Sequence, residues 1–411
     1  MNNTQMQNKI SPKANIKPKK NLKKSRKNLL IISVCLILTV ICAILVARGL
    51  FSGDELRLTG FSFLENGKFG LMDTSGNVLI PAQYDERIYL FSDNLAVVRI
   101  NGRYGFINKS GVQVIRTEFD TARSFSEGLA AVSLNGRYGF INTAGDFMIE
   151  AGFENAQSFR EGLAAVQVGG LWGFTDRRGV IRINPQFQAV SNFFDGRAAA
   201  MQNDRWGLID TRGRTVAEFE YEEMARSFRD GRLLARKDGL FGFLDRSGRE
   251  AIPFIYERAE AFSEGFAGVR GDGGLFGFID VRNNYRIDAE YAAVSDFSEG
   301  LAFVLIDGLY GVINRRGRLV ISPQFTGHLS FKDGVAPVSV GGRWGVIDTR
   351  GRYVINPLYD AVSNFESNRA IVRLGDFVGV IDMRGNIVVD IIYDNRASIN
   401  YYGLSKVWER R

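Results

Sequence analysis

The chain has 411 residues with 46 glycines, 31 phenylalanines and 8 prolines, a composition typical of tight turns joined by aromatic-rich strands rather than of disorder. Its net charge is +7, but residues 1–28 contain nine basic residues and no acidic one, so the remainder is slightly acidic. Because binding to nucleic-acid backbones needs clustered positive charge on the folded part, we expect no nucleic-acid partner.

The first predicted structural element is a membrane helix. Residues 29–47 form 19 consecutive uncharged, mostly apolar residues, long enough to cross a hydrocarbon core of roughly 30 Å. The positive charges before them place the amino terminus in the cytoplasm. We therefore expect a basic cytoplasmic tail (1–28), a single-pass helix in the plasma membrane (29–47), a short linker (48–59) and an extracytoplasmic domain (60–411). A cleaved secretory signal is the alternative, although the apolar run exceeds the usual length of about 7–15 residues.

After residue 60 an aromatic-glycine pair recurs every 34 or 35 residues, with valine in the last copy. Chance does not maintain such a spacing over ten copies, so the pattern predicts tandem repeats. The pairs are Phe69-Gly70, Tyr104-Gly105, Tyr138-Gly139, Trp172-Gly173, Trp206-Gly207, Phe241-Gly242, Phe276-Gly277, Tyr310-Gly311, Trp344-Gly345 and Val378-Gly379.

The unit that starts at Gly128 shows the predicted elements in order. LAAVSL and RYGFIN are predicted strands joined by the hairpin turn Asn135-Gly136. A second turn at 142–145 leads to a third strand, DFMIE, and a short fourth strand is predicted within 155–159. Each of about ten units is thus an antiparallel meander of three or four strands, and the domain is all-β.

A second glycine series opens the first strand of the units, and Asn94 and Asn368 fill two of its positions. Asparagine tolerates a left-handed backbone better than other non-glycine residues, so this series predicts a left-handed backbone at these positions. Asn283 predicts the same conformation in the other turn. Two further aromatic series, which include Phe159 and Phe187, are most simply a core between stacked repeats. Exposed aromatic residues that stack on sugars are the alternative.

The frame aromatic-Gly-aliphatic-x-Asp-x-x-Gly, seen around Trp172-Gly173, Trp206-Gly207 and Trp344-Gly345, resembles the WG (KWG) β-repeat family, found mostly in bacteria. The resemblance covers residues 60–403. Family members usually have lysine before the tryptophan, whereas this chain has arginine at 205 and 343. The resemblance implies an envelope or secreted repeat protein, which here would be membrane-anchored through residues 29–47, and it implies no particular chemistry.

The repeats could close into a propeller-like ring or form an open β superhelix. The repeat is uninterrupted and has no polar capping copies, which favours a ring. The chain nevertheless begins and ends on the same kind of strand, which gives eleven first strands for ten units, and a simple ring would not need the eleventh.

We find no catalytic constellation, metal site or cofactor motif in the sequence. His328 is the single histidine and is interpreted as a rim residue. Acidic residues recur just before the second glycine series, from Glu127 to Asp333, as a mark of the repeat rather than a glycosidase pair. Asp272, Asp307 and His328 are the candidates for an alternative, a hydrolase-like enzyme with a shallow site in a ring centre.

The turn after the second strand contains the candidate binding residues. Ser75, Ser110 and Ala144 precede its glycine in the first three units, whereas arginine occupies this position in six of the last seven. These residues are Arg178, Arg212, Arg282, Arg316, Arg350 and Arg384. Antiparallel strands place these turns on the same rim as the acidic turns. One interpretation is a rim of ion pairs that contribute little each, and the other is an arc that binds a polyanion or an acidic partner.

We therefore expect a non-enzymatic binding or scaffold module, displayed outside the plasma membrane, that engages a protein or an anionic envelope polymer through its rims. The alternatives are the hydrolase-like enzyme and a purely structural spacer.

Overall fold

The computed structural model describes residues 60–88, 91–394 and 400–401, and every regular element in them is a β-strand. No helix in this part of the chain is long and apolar enough to span a membrane. The predicted tail (1–28), transmembrane helix (29–47) and linker (48–59) lie outside the described residues.

The strands form ten antiparallel sheets, numbered here as blades 1 to 10 in chain order. Blade 1 contains β1 (Gly60–Glu65), β2 (Lys68–Asp73), β3 (Val78–Tyr84) and the last strand, β39 (Asn400–Tyr401). Blade 2 contains β4 (Leu95–Ile100), β5 (Arg103–Asn108) and β6 (Gln113–Phe119). Blades 3 to 10 each contain four strands that follow one another in sequence and in space.

Each of blades 3 to 6 begins with one short strand, which is followed by three long strands. They are β7 (Thr121–Ala122), β8 (Ala130–Leu134), β9 (Arg137–Ile141), β10 (Phe147–Phe153), β11 (Asn155–Ala156), β12 (Leu163–Val168), β13 (Leu171–Asp176), β14 (Ile181–Phe187), β15 (Ala189–Val190), β16 (Arg197–Gln202), β17 (Arg205–Asp210), β18 (Thr215–Tyr221), β19 (Glu223–Met224), β20 (Leu233–Lys237), β21 (Leu240–Leu244) and β22 (Glu250–Tyr256).

Blades 7 to 10 repeat the same pattern. They contain β23 (Arg258–Ala259), β24 (Phe266–Arg270), β25 (Phe276–Asp280), β26 (Tyr285–Tyr291), β27 (Ala293–Val294), β28 (Leu301–Ile306), β29 (Leu309–Asn314), β30 (Leu319–Phe325), β31 (Gly327–His328), β32 (Val335–Val340), β33 (Arg343–Asp348), β34 (Tyr353–Tyr359), β35 (Ala361–Val362), β36 (Arg369–Leu374), β37 (Phe377–Asp382) and β38 (Ile387–Asp394).

The short strand differs from the prediction in its length and in its partner. The predicted segment 155–159 is a strand only at Asn155–Ala156, and it pairs with β12 of the following unit, with Ala156 opposite Val166. One residue separates β10 from β11, so each sequence unit contributes three strands to one blade and the first strand of the next. The sequence repeat and the sheet are therefore offset by one strand.

The array closes into a propeller-like ring, so the superhelical alternative is wrong. The strand β39 pairs with β1, with Phe61 opposite Tyr401. Phe61, Phe63 and Met72 of blade 1 pack in one buried cluster with Val378, Val380 and Val389 of blade 10. This closing strand gives the first blade its fourth member. The predicted eleventh first strand would follow Gly403 and lies outside the described residues.

The glycine of the aromatic-glycine pair allows two strands to approach closely. A Cβ atom at Gly173 would lie 2.4 Å from the carbonyl oxygen of Ile183 and 2.6 Å from the nitrogen of Pro185, distances at which the backbone must shift. The register between β13 and β14 is irregular at this point, as expected for a bulge that needs a residue without a side chain. The glycine is thus required by packing against the neighbouring strand rather than by an unusual φ.

The second glycine series does adopt the left-handed backbone that the sequence predicts. Gly128 has φ 78°, and the asparagines that replace glycine, Asn94 and Asn368, have φ 65° and 62°. In the other turn Asn283 has φ 67°. Gly60 is an exception, since it opens β1 without a left-handed φ and instead approaches the carbonyl oxygen of Met72.

The aromatic series form the core between blades, as predicted. Phe159 of blade 4 is fully buried and its ring centroid lies 4.7 Å from that of Phe140 in blade 3. Phe193 and Phe174 repeat this contact at 4.7 Å between blades 5 and 4. Because each blade covers aromatic rings of its neighbour, a single blade would leave them in water.

Candidate binding rim

The antiparallel order of the strands divides the turns between two rims of the ring. The arginine rim contains the turns that join the last two long strands of each blade, such as 176–180, and the acidic turns that precede the first long strand, such as Glu161-Gly162. The hairpin rim contains the hairpins between the first two long strands, such as Asn135-Gly136, and the junctions that lead to the next blade, such as Asp120. Contacts between Arg246 and Asp195, at 2.9 Å, confirm that both turn types of the arginine rim lie together.

Each turn between the last two long strands is built around one aspartate or asparagine side chain. In blade 4, Asp176 Oδ1 accepts hydrogen bonds from the backbone N–H groups of Arg178, at 2.9 Å, and Val180, at 3.0 Å. The N–H of Gly179 bonds to the carbonyl oxygen of Asp176 at 3.0 Å. Such a turn orders the backbone of the residue before the glycine but makes no use of its side chain.

The same turn forms without arginine. The backbone N–H groups of Ser75 and Ala144 bond to Asp73 and Asn142 at 2.8 Å and 2.9 Å, as that of Ser247 does to Asp245. The turn therefore explains the conserved backbone geometry of the rim, and it leaves the six arginine side chains without a structural reason.

The turn aspartates are held in their charged form. Burial by itself would raise the pKa of Asp245, but hydrogen bonds from Ser247 and Arg249 lower it to about 2. The backbone and side-chain hydrogen bonds of Asn284 keep the pKa of Asp280 well below its ordinary value despite burial. Hydrogen bonds from Arg352 and Arg350 likewise lower the pKa of Asp348 against the opposing effect of burial.

Where the turn opens with aspartate, the arginines that follow the turn are ion-paired with it, whereas Arg318, whose turn opens with Asn314, has no such aspartate. Arg214 lies 2.6 Å from Asp210, and Arg352 lies 2.7 Å from Asp348. Other pairs of this kind are Arg182–Asp176, Arg249–Asp245 and Arg286–Asp280. Each turn aspartate that has such a partner is therefore already neutralised.

The six predicted arginines, which precede the glycine, behave differently. All six side chains are exposed, and within the described residues none of their guanidinium groups has a hydrogen bond or an ion pair. In the described part of the chain, these six residues therefore do not take part in the ion pairs of the rim. They are Arg178 in blade 4, Arg212 in blade 5 and Arg282, Arg316, Arg350 and Arg384 in blades 7 to 10.

The acidic turns connect neighbouring blades. Glu161 Oε2 accepts a hydrogen bond from the backbone N–H of Gly196 in the next blade, at 2.8 Å, and Glu127 bonds in the same way to Gly162 at 3.0 Å. We call this contact the acid clasp. It recurs from Asp93 to Gly128, Asp230 to Gly265, Glu264 to Gly300 and Glu299 to Gly334.

Arginines that lie two residues before the turn glycine form ion pairs with some of these acids. Arg315 lies 2.7 Å from Glu264, and Arg246 pairs with Asp195. Because the repeated acids bond to glycine N–H groups and to these arginines, they stabilise the rim itself. They are not placed to neutralise the six exposed arginines.

The hairpin rim has its arginines paired with acids. Arg343 lies 2.5 Å from Asp360, and Arg205 lies 3.4 Å from Glu222. Arg103–Asp120 and Arg137–Glu154 are equivalent pairs. The acids also accept backbone N–H groups of the hairpin, as Asp120 does from Gly136 at 2.9 Å. The charges of these four arginines are therefore paired within the ring.

The residues of the enzyme alternative lie in separate blades. Asp272 and Asp307 are exposed in the hairpins of blades 7 and 8. His328 is not a rim residue as predicted, because it lies in β31 with its ring stacked 4.1 Å from Phe303 of blade 8. Burial lowers its pKa to about 4. The described residues contain no group of three or more His, Cys, Asp or Glu side chains suited to a metal ion.

The WG containing repeat model matches nine successive segments of the chain, which together cover most of the ring. The segments are 69–104, 104–138, 138–172, 172–206, 206–241, 241–274, 276–310, 310–344 and 344–376. The chain belongs to the WG containing repeat family. The glycine of the repeated aromatic-glycine pair is the residue that allows the close approach of the neighbouring strand, as described for Gly173.

Comparison with solved structures gives only distant similarity for this WG containing repeat protein. A eukaryotic initiation factor matches over 80% of this chain and 94% of its own, with 10% identity and a TM-score of 0.44. BamB from Moraxella catarrhalis matches over 66% and 93%, with 12% identity and a TM-score of 0.32. A search of curated proteins found no match. These similarities are too distant to indicate a function.

Sequence reasoning about this WG containing repeat protein missed the acid clasp. The acids were interpreted only as a mark of the repeat. The spacing could have indicated the clasp. Each clasp joins an acid to a glycine 35 or 36 residues later, and this glycine directly follows the equivalent acid of the next repeat. The acid and the following glycine share a left-handed backbone, with φ 53° at Glu161 and 76° at Gly162.

Proposed function

We propose that the ring is a non-enzymatic binding and scaffold module, displayed outside the plasma membrane, that engages an anionic protein or envelope polymer through its arginine rim. The observation that supports this proposal is the set of six exposed guanidinium groups without partners in the described part of the chain. On the same rim, two arginines that lie two residues further along the chain, Arg214 and Arg352, are ion-paired. The free groups are therefore available for a ligand.

The chemistry of the rim favours an anion with several charged groups. A guanidinium group presents a planar set of N–H donors that matches carboxylate or phosphate oxygens. One such group lies in each of six blades, four of them consecutive, from blade 7 to blade 10. A ligand that contacts several blades at once gains from multivalency, since the second contact is effectively intramolecular.

Retention of the protein on an immobilised anionic polymer tests this proposal. The variant with Arg316, Arg350 and Arg384 replaced by serine should bind about ten- to a hundred-fold more weakly. This range assumes that each of the three exposed contacts contributes roughly 0.5–1 kcal/mol, within the range for exposed ion pairs, and that 1.4 kcal/mol corresponds to about tenfold in affinity. Wild-type retention should fall as salt rises, because exposed charges are screened over about 8 Å at physiological ionic strength.

The matched control removes the same charge from the other rim. Replacement of Arg137, Arg205 and Arg343 by serine should leave retention close to that of the wild type, because these groups are already paired with acids. Serine occurs naturally before the turn glycine in three blades, so the test variant preserves the turn. Salt-insensitive retention, or an equal loss in both triple variants, would contradict the proposal.

A further inference from the structure

In blades 7 to 10, each arginine before the turn glycine lies three residues ahead of an exposed apolar or aromatic side chain. In blade 9, Arg350 precedes the turn glycine and the last long strand opens with Tyr353. Tyr353 is 40% exposed, and its equivalents Tyr285, Leu319 and Ile387 are 44%, 48% and 55% exposed. Each of these four blades therefore presents one unpaired guanidinium group and one large apolar surface close to the same turn.

The other described blades do not have this arrangement. In blade 4 the residue three positions after Arg178 is half-buried, and the exposed apolar residue is Val180, one position earlier. In blade 5 a threonine lies three positions after Arg212. In blades 1, 2, 3 and 6 serine or alanine replaces the arginine. The arrangement is therefore confined to one arc of four consecutive blades.

Contacts between adjacent blades make this arc continuous. A Cβ atom at Gly351, the residue after Arg350, would lie 3.1 Å from Ile321 in the last long strand of blade 8. That strand opens with Leu319, so the turn that contains Arg350 lies against the strand that exposes Leu319. The same contact recurs from Gly317 to Ile287 and from Gly385 to Ile355. We call the arginines before the turn glycine and the apolar residues three positions later, in blades 7 to 10, the alternating arc.

Blade 8 adds a further positive charge to the alternating arc. In blade 9 the turn aspartate pairs with the arginine four residues later, since Asp348 lies 2.7 Å from Arg352. The turn of blade 8 opens instead with Asn314, which has no charge. Arg318 is exposed, and its guanidinium group has no ion pair within the described residues. Blade 8 therefore presents two unpaired guanidinium groups.

We propose that the alternating arc binds a segment of a partner protein in which carboxylates lie next to large apolar side chains. This inference rests on the proposed function of the arginine rim and commits its ligand to a protein. The guanidinium groups pair with carboxylates, and Leu319, Tyr353 and Ile387 are removed from water by apolar groups of the ligand. Arginine and tyrosine are also enriched at protein–protein interfaces. A hydrophilic polyanion would use the arginines but leave the apolar side chains in water.

Fluorescence anisotropy of labelled synthetic peptides with the full-length protein tests the inference. The first peptide repeats the sequence Asp-Leu-Glu-Ser and so combines carboxylates with leucine. The second peptide has serine in place of each leucine and therefore has the same charge without the apolar side chains. Retention on polyglutamate and on vesicles that contain phosphatidylglycerol is measured in parallel, because these ligands represent a hydrophilic polyanion and a lipid surface.

The wild type should bind the peptide with leucine about tenfold more tightly than the peptide without it, since three or more apolar contacts are added. Replacement of Leu319, Tyr353 and Ile387 by serine should remove most of this preference. Retention of this triple variant on polyglutamate should stay within about twofold of the wild type, because its arginines are unchanged.

The matched control removes apolar side chains from the same rim outside the alternating arc. Val78, Val112 and Met148 are exposed in blades 1 to 3, whose turns have serine or alanine in place of the arginine. Their replacement by serine should leave the preference for the leucine peptide unchanged. An equal loss of preference in the control and in the arc variant would contradict the inference.

A single change of charge tests the arginines of the alternating arc. Asn314→Asp should create a partner for Arg318, as Asp348 is for Arg352, and should weaken binding of both peptides about two- to fivefold. Asn108→Asp makes the same change in blade 2, where valine lies four residues later, and should have no effect. Equal weakening by the two changes would show that net charge rather than the arc determines binding.

Retention on polyglutamate separates this inference from the proposed function. Equal affinity of the wild type for the two peptides overturns the inference. If replacement of Arg316, Arg350 and Arg384 by serine then still reduces retention on polyglutamate, the rim binds anions in general and only the assignment to a protein is wrong. If polyglutamate retention is also unchanged, the proposed function is wrong as well. Retention on the vesicles that is lost in the apolar triple variant, without a preference between the peptides, would assign the arc to lipid and likewise overturn the inference.

Discussion

The two rims have the same backbone repeat and both contain many arginines, but they differ in what the arginines contact. On the hairpin rim, Arg205 and Arg343 pair with acids at the junctions to the next blade. On the arginine rim, Arg350 and its equivalents in five other blades have no partner within the described residues. The difference shows that the count of basic residues does not distinguish the two rims, whereas the presence or absence of an internal partner does.

Low pH should have the largest effect on the stability of the protein, and this effect should come mainly from carboxyl groups of the arginine rim. Seven turn aspartates of the arginine rim have a lowered pKa, against Asp85 and Glu154 on the hairpin rim. The seven are Asp73, Asp176, Asp210, Asp245, Asp280, Asp348 and Asp382. A carboxyl whose pKa is lowered on folding stabilises the protein above its unfolded pKa, and this contribution is lost as pH falls through the folded pKa. The urea midpoint should therefore fall steeply between about pH 4 and pH 2.

Asp245→Asn provides the control for this prediction. Asparagine makes the same turn in three blades, as Asn314 shows by accepting the N–H of Arg316 at 2.9 Å. Since the pKa of Asp245 is about 2 against an ordinary value of 3.8, the variant should lose part of the pH dependence in this interval. An unchanged slope would show that the turn carboxylates do not control acid stability.

The acid clasp should have an intermediate effect that is specific to the arginine rim. Glu161→Ala removes the acceptor of the Gly196 N–H and should lower the free energy of unfolding by about 1 kcal/mol. Asp333→Ala is the matched change, because Asp333 has a similar left-handed φ of 54° but no clasp among the described residues. Comparison of the two variants by urea denaturation cancels the backbone cost of alanine. Equal losses would mean that the clasp does not stabilise the ring.

Single arginine replacements should have the smallest effect and compare the rims directly. Arg343→Ser breaks an exposed ion pair with Asp360 and should cost up to about 1 kcal/mol of unfolding free energy. Arg350→Ser removes no ion pair and should change stability by roughly 0 kcal/mol. Thermal denaturation of both variants checks this order, and a larger loss for Arg350→Ser would reveal a structural role for that side chain.

Much of the fold was predictable because the repeat appears many times. Ten copies of one turn pattern gave the strands, the meander and the core aromatic residues, and the left-handed φ of Asn94 and Asn283 follows from the residues they replace. The partner of the short strand was not predictable, since one residue between β10 and β11 does not indicate that the sheet changes there.

The position of the candidate site was predictable from the sequence, but which of its arginines are ion-paired was not. Strand direction correctly placed the arginine and acidic turns on one rim, as the Arg246–Asp195 contact shows. Sequence could not decide whether Arg350 or Arg352 pairs with Asp348, because both lie within reach of the carboxylate in a tight turn. The structure assigns the pair to Arg352. The burial of His328 against Phe303 was also missed, because it depends on contact between blades.

Closure of the ring by β39 has a consequence for the order of events during synthesis. The partner of Phe61 is Tyr401, so the edge of β1 waits for about 340 further residues before its last strand exists. At a translation rate of roughly 5–20 residues per second, this interval is about 20–70 s. During that time Phe61 and Phe63 also lack Val378 and Val380, against which they are buried in the finished ring. The nascent chain therefore exposes an unpaired strand edge and an apolar surface, a state in which chaperone contact or pairing with another nascent copy competes with completion.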